Sequence, residues 1–307
     1  MCLAVLSLGQ HPRFPLVLVA NRDEFFDRPA LALDWWQAPG HVQPILAGRD
    51  LSAGGTWLGL STQGRLALLT NVRAPGKQRP DAPSRGSIVP DWLSGTDTLL
   101  QANQRWQQAG HNGFNLITAD LCAGQWAWTA TQQSQPLPLA PGLHGLSNAS
   151  LDTPWPKVLR LRQAVQQALQ APLGVGHLAH TLFEALADPA TALDVDLPST
   201  GLPMNLERAL SAVFIRSDDG RYGTRCSTVL LQERDTAGQC TTYVFERSFG
   251  PQPGQGELAW TSLRPWPCLE NRGPGAPSAI TPVERVAQRA PGYGTTLPST
   301  LRKVDES

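Results

Sequence analysis

The chain predicts an α+β protein built on mostly antiparallel sheets with helices on their outer faces. Strand-like runs come in hairpin-connected groups, strands then helices then strands again, in place of a strict strand-helix alternation. Several runs are also apolar along their whole length, where a sheet with one wet face would alternate, so both sheet faces are expected to be covered. At 307 residues the chain can supply one large sandwich or α/β unit plus a tail.

The first strand spans 2–9 and the second 15–20, joined by a short turn holding Gly9, His11 and Pro12, which reads as a hairpin. A second pair, 55–61 and 65–70, meets at Thr62-Gln63-Gly64. Gly54-Gly55, just before it, resembles no phosphate loop and reads as a bulge or a close backbone approach. Helices follow over 88–93 and 97–109, the latter with Leu99, Leu100 and Trp106 on one face and Gly110 as its stop. Strands return at 114–118 and 125–129 around a turn at Cys122-Ala-Gly124, with 143–146 as their third member. Two further helices span 154–169 and 175–187, the first with Val158, Leu161, Val165 and Leu169 at helical spacing. Strands at 212–215, 224–231 and 241–249 complete a domain over residues 1–262. Pro, Gly, Ser, Thr and Arg then dominate, so 263–307 reads as a tail that docks loosely or is disordered.

Composition narrows the function classes. Formal charge is zero, and of 25 basic residues only Lys77, Lys157 and Lys303 are lysines, with no basic patch, so nucleic acid is not an expected partner. Five widely spread cysteines without a C-x-x-C pair suit a reducing compartment and make no zinc motif. His177 and His180 could share a helix face but lack a carboxylate or cysteine partner in register, so no metal site is expected. The opening stretch lacks the layout of a signal peptide and no run of eighteen apolar residues occurs, so a cytoplasmic, soluble protein without a membrane span is expected. The ten tryptophans read as core and interlayer packing, with a few near strand ends lining an apolar pocket.

The chemistry begins at Cys2. Removal of Met1 would leave a cysteine with a free α-amine, a thiol of pKa about 8.5 beside an amine of about 7.7 to 8.0. Such a pair shares a proton readily, so the thiol can be nucleophile and its own amine the base. The competing reading is a small buried strand residue. Asn21-Arg22-Asp23-Glu24 follows the second strand, and the hairpin sets Cys2 opposite it. Asp23 is then placed to meet the amine, and Arg22 to bind an acidic group or an oxyanion. The bland alternative is a solvated turn with i, i+2 ion pairing.

Six segments extend this pattern in order over residues 1 to 250: Met1-Cys2, Asn21-Arg-Asp-Glu24, Gly54-Gly-Thr-Trp-Leu-Gly59, Thr70-Asn-Val-Arg73, Leu146-Ser-Asn148 with Leu151-Asp-Thr-Pro-Trp-Pro-Lys157, and Tyr222-Gly-Thr-Arg225. Together they resemble the NRDE family, which includes homologues of the transport and Golgi organization protein 2. That family in turn resembles N-terminal nucleophile hydrolases, which implies a four-layer αββα sandwich of two mostly antiparallel sheets. By this resemblance Cys2 matches the nucleophile and Asp23 the aspartate that contacts its amine. Asn71 and Asn148 match asparagines around the oxyanion, and Arg225 a late arginine that supports the nucleophile. Asn21, Arg22, Trp57 and Arg73 are the substrate-binding candidates. Related cysteine acylases carry an arginine where this chain has Val19, and Arg22 is the replacement expected here.

The implied function is acyl transfer or hydrolysis of a small amide or thioester without a cofactor. The thiolate attacks a carbonyl, amide donors hold the oxyanion, and the amine returns a proton to the leaving group. The alternative is a non-catalytic carrier of haem or of an acyl-lipid or acyl-coenzyme A in the same pocket. A haem carrier would want an axial His, Cys or Met beside an apolar slot, whereas the histidines here are scattered.

Overall fold

The computed structural model describes residues 2–131, 133–252, 256–263 and 282–287. In chain order its first strands are β1 (Cys2–Leu8), β2 (Leu16–Phe25), β3 (Ala30–Gln37), β4 (Pro44–Asp50), β5 (Leu58–Ser61) and β6 (Arg65–Asn71). After helices α1 (Ile88–Ser94) and α2 (Leu99–Gln108) come β7 (Phe114–Asp120), β8 (Gln125–Ala130), β9 (Leu137–Pro138) and β10 (Gly142–Leu146). Helices α3 (Pro156–Gln170), α4 (Val175–Leu186) and α5 (Met204–Ala209) precede β11 (Tyr222–Arg234), β12 (Cys240–Ser248), β13 (Glu257–Leu263) and β14 (Glu284–Ala287).

These strands form two seven-stranded antiparallel sheets. One runs β10-β1-β2-β11-β12-β13-β14, and the other is a meander from β3 to β9. The side-chain period of two decides what each face meets. In β2, Leu16, Leu18 and Ala20 pack between the sheets against Leu46, Leu60 and Leu66, while Val17 and Val19 pack under α3 and α4. On the second sheet, Ile45, Ala47, Ala67 and Leu69 lie under α1 and α2. The result is a four-layer αββα sandwich, the architecture implied above. Strands in the middle layers are buried on both faces, which is why their apolar runs do not alternate. Each such leucine or valine contributes roughly 1.5–3 kcal/mol of burial.

Several expectations change. β2 does not stop at residue 20 but continues through Asn21-Arg22-Asp23-Glu24, because β1 pairs with it as far as Arg22 and β11 as far as Phe25. The strand expected at 143–146 is present, yet it does not join the strands at 114–120 and 125–130: β10 pairs with β1 in the other sheet. β3 and β4 have no counterpart in the sequence reading; β3 is half-exposed and carries an irregularity between Leu31 and Asp34, which obscures its period. On α2 the buried face is Ala102, Asn103 and Trp106, and Leu100 is exposed. Residues 212–215 are not a strand but a buried turn after α5, itself unforeseen.

Within the stretch read as a tail, β14 adds a strand to β13, and the rest beyond Leu263 lies outside the described residues apart from 282 and 283. Cys240 is disulfide-bonded, a departure from the all-reduced expectation; Cys2, Cys122 and Cys226 are free. Among the described residues no helix is long and apolar enough to cross a membrane.

Candidate active site

The hairpin register sets Cys2 opposite Arg22, and β11 sets Thr224 opposite Asp23. Alternation sends Cys2 and Arg22 toward the second sheet, following Ala4 and Ala20, and Asn21 toward the helices, following Val17 and Val19; Asp23 starts on that same helix side but, near the end of the strand, still borders the cavity. A register shift between Thr224 and Cys226 leaves Arg225 as the extra residue of a bulge, a device that re-aims side chains beside sites.

Cys2, Arg22, Asp23, Asp50, Trp57 and Asn71 share the wall of a cavity of about 420 Å³. Arg22 is buried, lies 4.3 Å from the Trp57 ring centroid and pairs with Asp50 at 3.0 Å. Trp57 reaches that position because residue 48 is glycine: a Cβ there would come within 2.6 Å of the indole. The expected close approach at Gly54-Gly55 is also present, since a Cβ on Gly55 would fall 2.1 Å from the Gly86 carbonyl oxygen. Thr56 donates its N–H to that same carbonyl at 3.0 Å. The loop over the cavity is therefore fastened to the start of the β5 hairpin.

Electrostatics follow from burial and pairing. Burial, the largest influence, pushes the Cys2 thiol above its ordinary value, so the resting thiol is neutral and needs a base. Burial would also raise Asp50, but the Arg28 hydrogen bond, the Ala53 amide and the nearby Arg28 and Arg22 charges hold its carboxyl below the usual range. Asp23 is fully enclosed and accepts the Thr224 hydroxyl at 2.8 Å, while that hydroxyl accepts the Ile215 N–H at 2.9 Å. The backbone of Cys2 is held too, because the Ser147 hydroxyl donates to its carbonyl at 3.0 Å.

The other expected site residues separate. Asn71 lines the cavity, and its side-chain amide has no hydrogen bond among the described residues. Asn148 sits behind it, buried, donating from Nδ2 to the Asn71 carbonyl at 2.8 Å. Asn21 does not reach the cavity: its Nδ2 donates to the carbonyls of Leu186 and Val213, each at 2.9 Å, and its Oδ1 accepts the Ser227 hydroxyl at 2.6 Å. Arg73 is buried against Glu207 at 2.6 Å and stacks over Trp155 at 4.6 Å. Arg225 donates to the carbonyls of Phe25 and Arg28 at 2.7 and 2.9 Å. It lines a neighbouring cavity of about 510 Å³, which Arg22 and Trp57 also border, so those two side chains stand between the cavities.

Sequence reasoning missed Lys157. It lies in the first turn of α3, is 1 % exposed, and its Nζ has no hydrogen-bond partner. Burial, foremost, lowers its pKa to about 8, with the charges of Asp23, Cys2 and Glu207 opposing and that of Arg73 assisting. The helix N-terminus also disfavours a cation there. The available signal was spacing: Lys157 sits one turn before Leu161 and two before Val165, on the apolar face of the helix. Among the described residues no group of three or more His, Cys, Asp or Glu is placed to hold a metal ion.

Residues 1–250 match the family model described as Transport and Golgi organisation 2. The Transport and Golgi organization protein 2 homolog of Bos taurus is 37% identical over 284 residues, 86% of this chain and 99% of that protein. The Homo sapiens homolog is 34% identical over 257 residues, 76% of this chain and 90% of the relative. Among solved structures, a Caenorhabditis elegans N-acylethanolamine-hydrolyzing acid amidase ortholog aligns with a TM-score of 0.41 at 13% identity, covering 75% of this chain and 92% of its own. The C2A mutant of a conjugated bile acid hydrolase from Clostridium perfringens aligns at 0.40 with 9% identity, covering 85% and 92%.

Proposed function

The chain belongs to the Transport and Golgi organisation 2 family, and for this member we propose a cysteine hydrolase of the N-terminal nucleophile type that acts on a small amide or thioester through Cys2. The observation that carries the reading is the single cavity wall on which Cys2, Asp23 and Asn71 meet. With Met1 removed, the α-amine of Cys2 takes the thiol proton, and Asp23 orients the resulting ammonium. The thiolate adds to the substrate carbonyl, whose π electrons move onto oxygen, and the Asn71 amide N–H stabilises that oxyanion. Collapse expels the amine or thiol, which takes the ammonium proton, and leaves a thioester on Cys2. Water, deprotonated by the same amine, then releases the carboxylic acid and restores the thiol.

A haem carrier would ask this cavity for an apolar slot beside its axial ligand. The wall around Cys2 is instead largely guanidinium, carboxylate and amide, which favours the acyl-transfer reading. Intact mass is expected to show loss of Met1. Brief incubation with p-nitrophenyl esters and acyl thioesters should add one acyl mass, located on the Cys2 peptide and absent from Cys2→Ala. A retained Met1, or acylation that persists in Cys2→Ala, overturns the proposal.

A further inference from the structure

The cavity holds more positive charge than its carboxylates neutralise. Arg22, Arg28, Arg79 and Arg85 line it together with Asp23, Glu24 and Asp50. Asp50 takes Arg22 at 3.0 Å and Arg28 at 2.6 Å, and Glu24 stands 4.0 and 3.9 Å from the same two guanidinium groups. Arg79 and Arg85 have no ion-pair partner among the described residues. Arg79 donates to the Gly110 carbonyl, and Arg85 to the Gly113 carbonyl at 3.0 Å. A guanidinium has five N–H donors, so most of theirs are unspent.

Arg85 is also held in advance of any ligand. It opens a short 3-10 turn capped by Ser84, whose hydroxyl accepts the Gly86 N–H at 3.2 Å. The next residue, Gly86, is packed backbone to backbone on Gly55. Burial works against its charge, while Cys2 and Glu24 are near enough to favour it. A partly buried guanidinium without a carboxylate is costly unless something anionic completes it. A planar, preorganised fork suits an oxyanion best.

We infer that the acyl substrate of this cavity carries an oxyanion, a carboxylate or a phosphate, bound by Arg85 and Arg79 a short reach from the Cys2 thiol. This rests on the Cys2 reading above, and the two can fail separately. Alkylation of Cys2 by iodoacetate and by iodoacetamide, followed by peptide mass, compares an anionic with a neutral reagent of similar size. Each displaces iodide from carbon and leaves a thioether. Relative to glutathione, the iodoacetate to iodoacetamide rate ratio at Cys2 should be about tenfold higher, an ordinary size for local steering. Arg85→Gln should return it to within about twofold of glutathione, Arg85→Lys should keep most of it, and Lys77→Gln on the same loop should leave it unchanged.

Inorganic phosphate or acetate, at equal ionic strength, should slow the iodoacetate reaction; the more effective of the two identifies the group. A ratio equal to that of glutathione, or one unaltered by Arg85→Gln, overturns the inference while leaving the nucleophile in place. If Cys2 takes neither reagent, the nucleophile reading fails, and calorimetric titration with phosphate decides the anion site. Saturable binding in the wild type that is lost in Arg85→Gln upholds it, and no binding overturns it.

Discussion

Cys2 gains its chemistry from the groups that pairing brings to it. Its thiol is raised by burial, its carbonyl is fixed by Ser147, and Asn71 presents an unspent amide to the same space. Asn71→Ala should therefore lower kcat about 10²-fold, roughly 3 kcal/mol, with little change in KM, in steady-state assays on an acyl substrate. An equal loss in KM would assign the amide to ground-state binding instead. Lys157 makes a prediction of a different kind. Its folded pKa, about 8, lies below the ordinary 10.5, so between those values the unfolded chain holds a proton that the folded chain has released. Stability contributed by this residue then rises with pH from about 8 to 10.5 and sits at its lower plateau below 8, a span of roughly 3 kcal/mol at most. Urea midpoints of wild type and Lys157→Met, compared across pH so that shared groups cancel, should converge toward pH 10.5 and differ most at pH 7, where the variant is the more stable. Parallel curves would sink this account.

At the scale of elements, β2 is the decisive piece. One strand carries Arg22 to the cavity and Asn21 to the opposite face, a separation that follows from its period of two. The residues look contiguous in sequence but serve different layers. Asn21 ties β2 to the end of α4, to the turn at Val213 and to Ser227 on β11 through three buried hydrogen bonds. Asn21→Ala leaves those partners unsatisfied and should cost about 2 kcal/mol or more in urea denaturation. Because the side chain faces away from the cavity, the rate of Cys2 alkylation under native conditions should stay within about twofold. The bulge at Arg225 acts likewise on β11, turning that guanidinium onto the carbonyls that follow β2 and into the adjoining cavity.

Across the whole molecule, antiparallel sheets with helices on their outer faces were legible because central strands, covered on both faces, must read as unbroken apolar runs, and because hairpin turns at Gly9–Pro15 and Gly64 punctuate them; the four-layer αββα order was implied only by the family resemblance. β3 escaped notice, since a half-exposed strand with an irregularity has no clean period. β10 was legible as a strand but not as a neighbour of β1, because pairing between distant segments leaves no local mark. The nucleophile candidate, the Asn21-Arg-Asp-Glu24 motif and the opposition of Cys2 to that motif were determined by the sequence itself, through one short hairpin whose turn sets the register. Which of those residues face the cavity, the burial that leaves Lys157 without a partner, and the excess of four cavity arginines over three carboxylates were decided only by tertiary structure. Burial and charge balance are sums over neighbours that the chain brings together from positions far apart, and no local pattern in the sequence carries that sum.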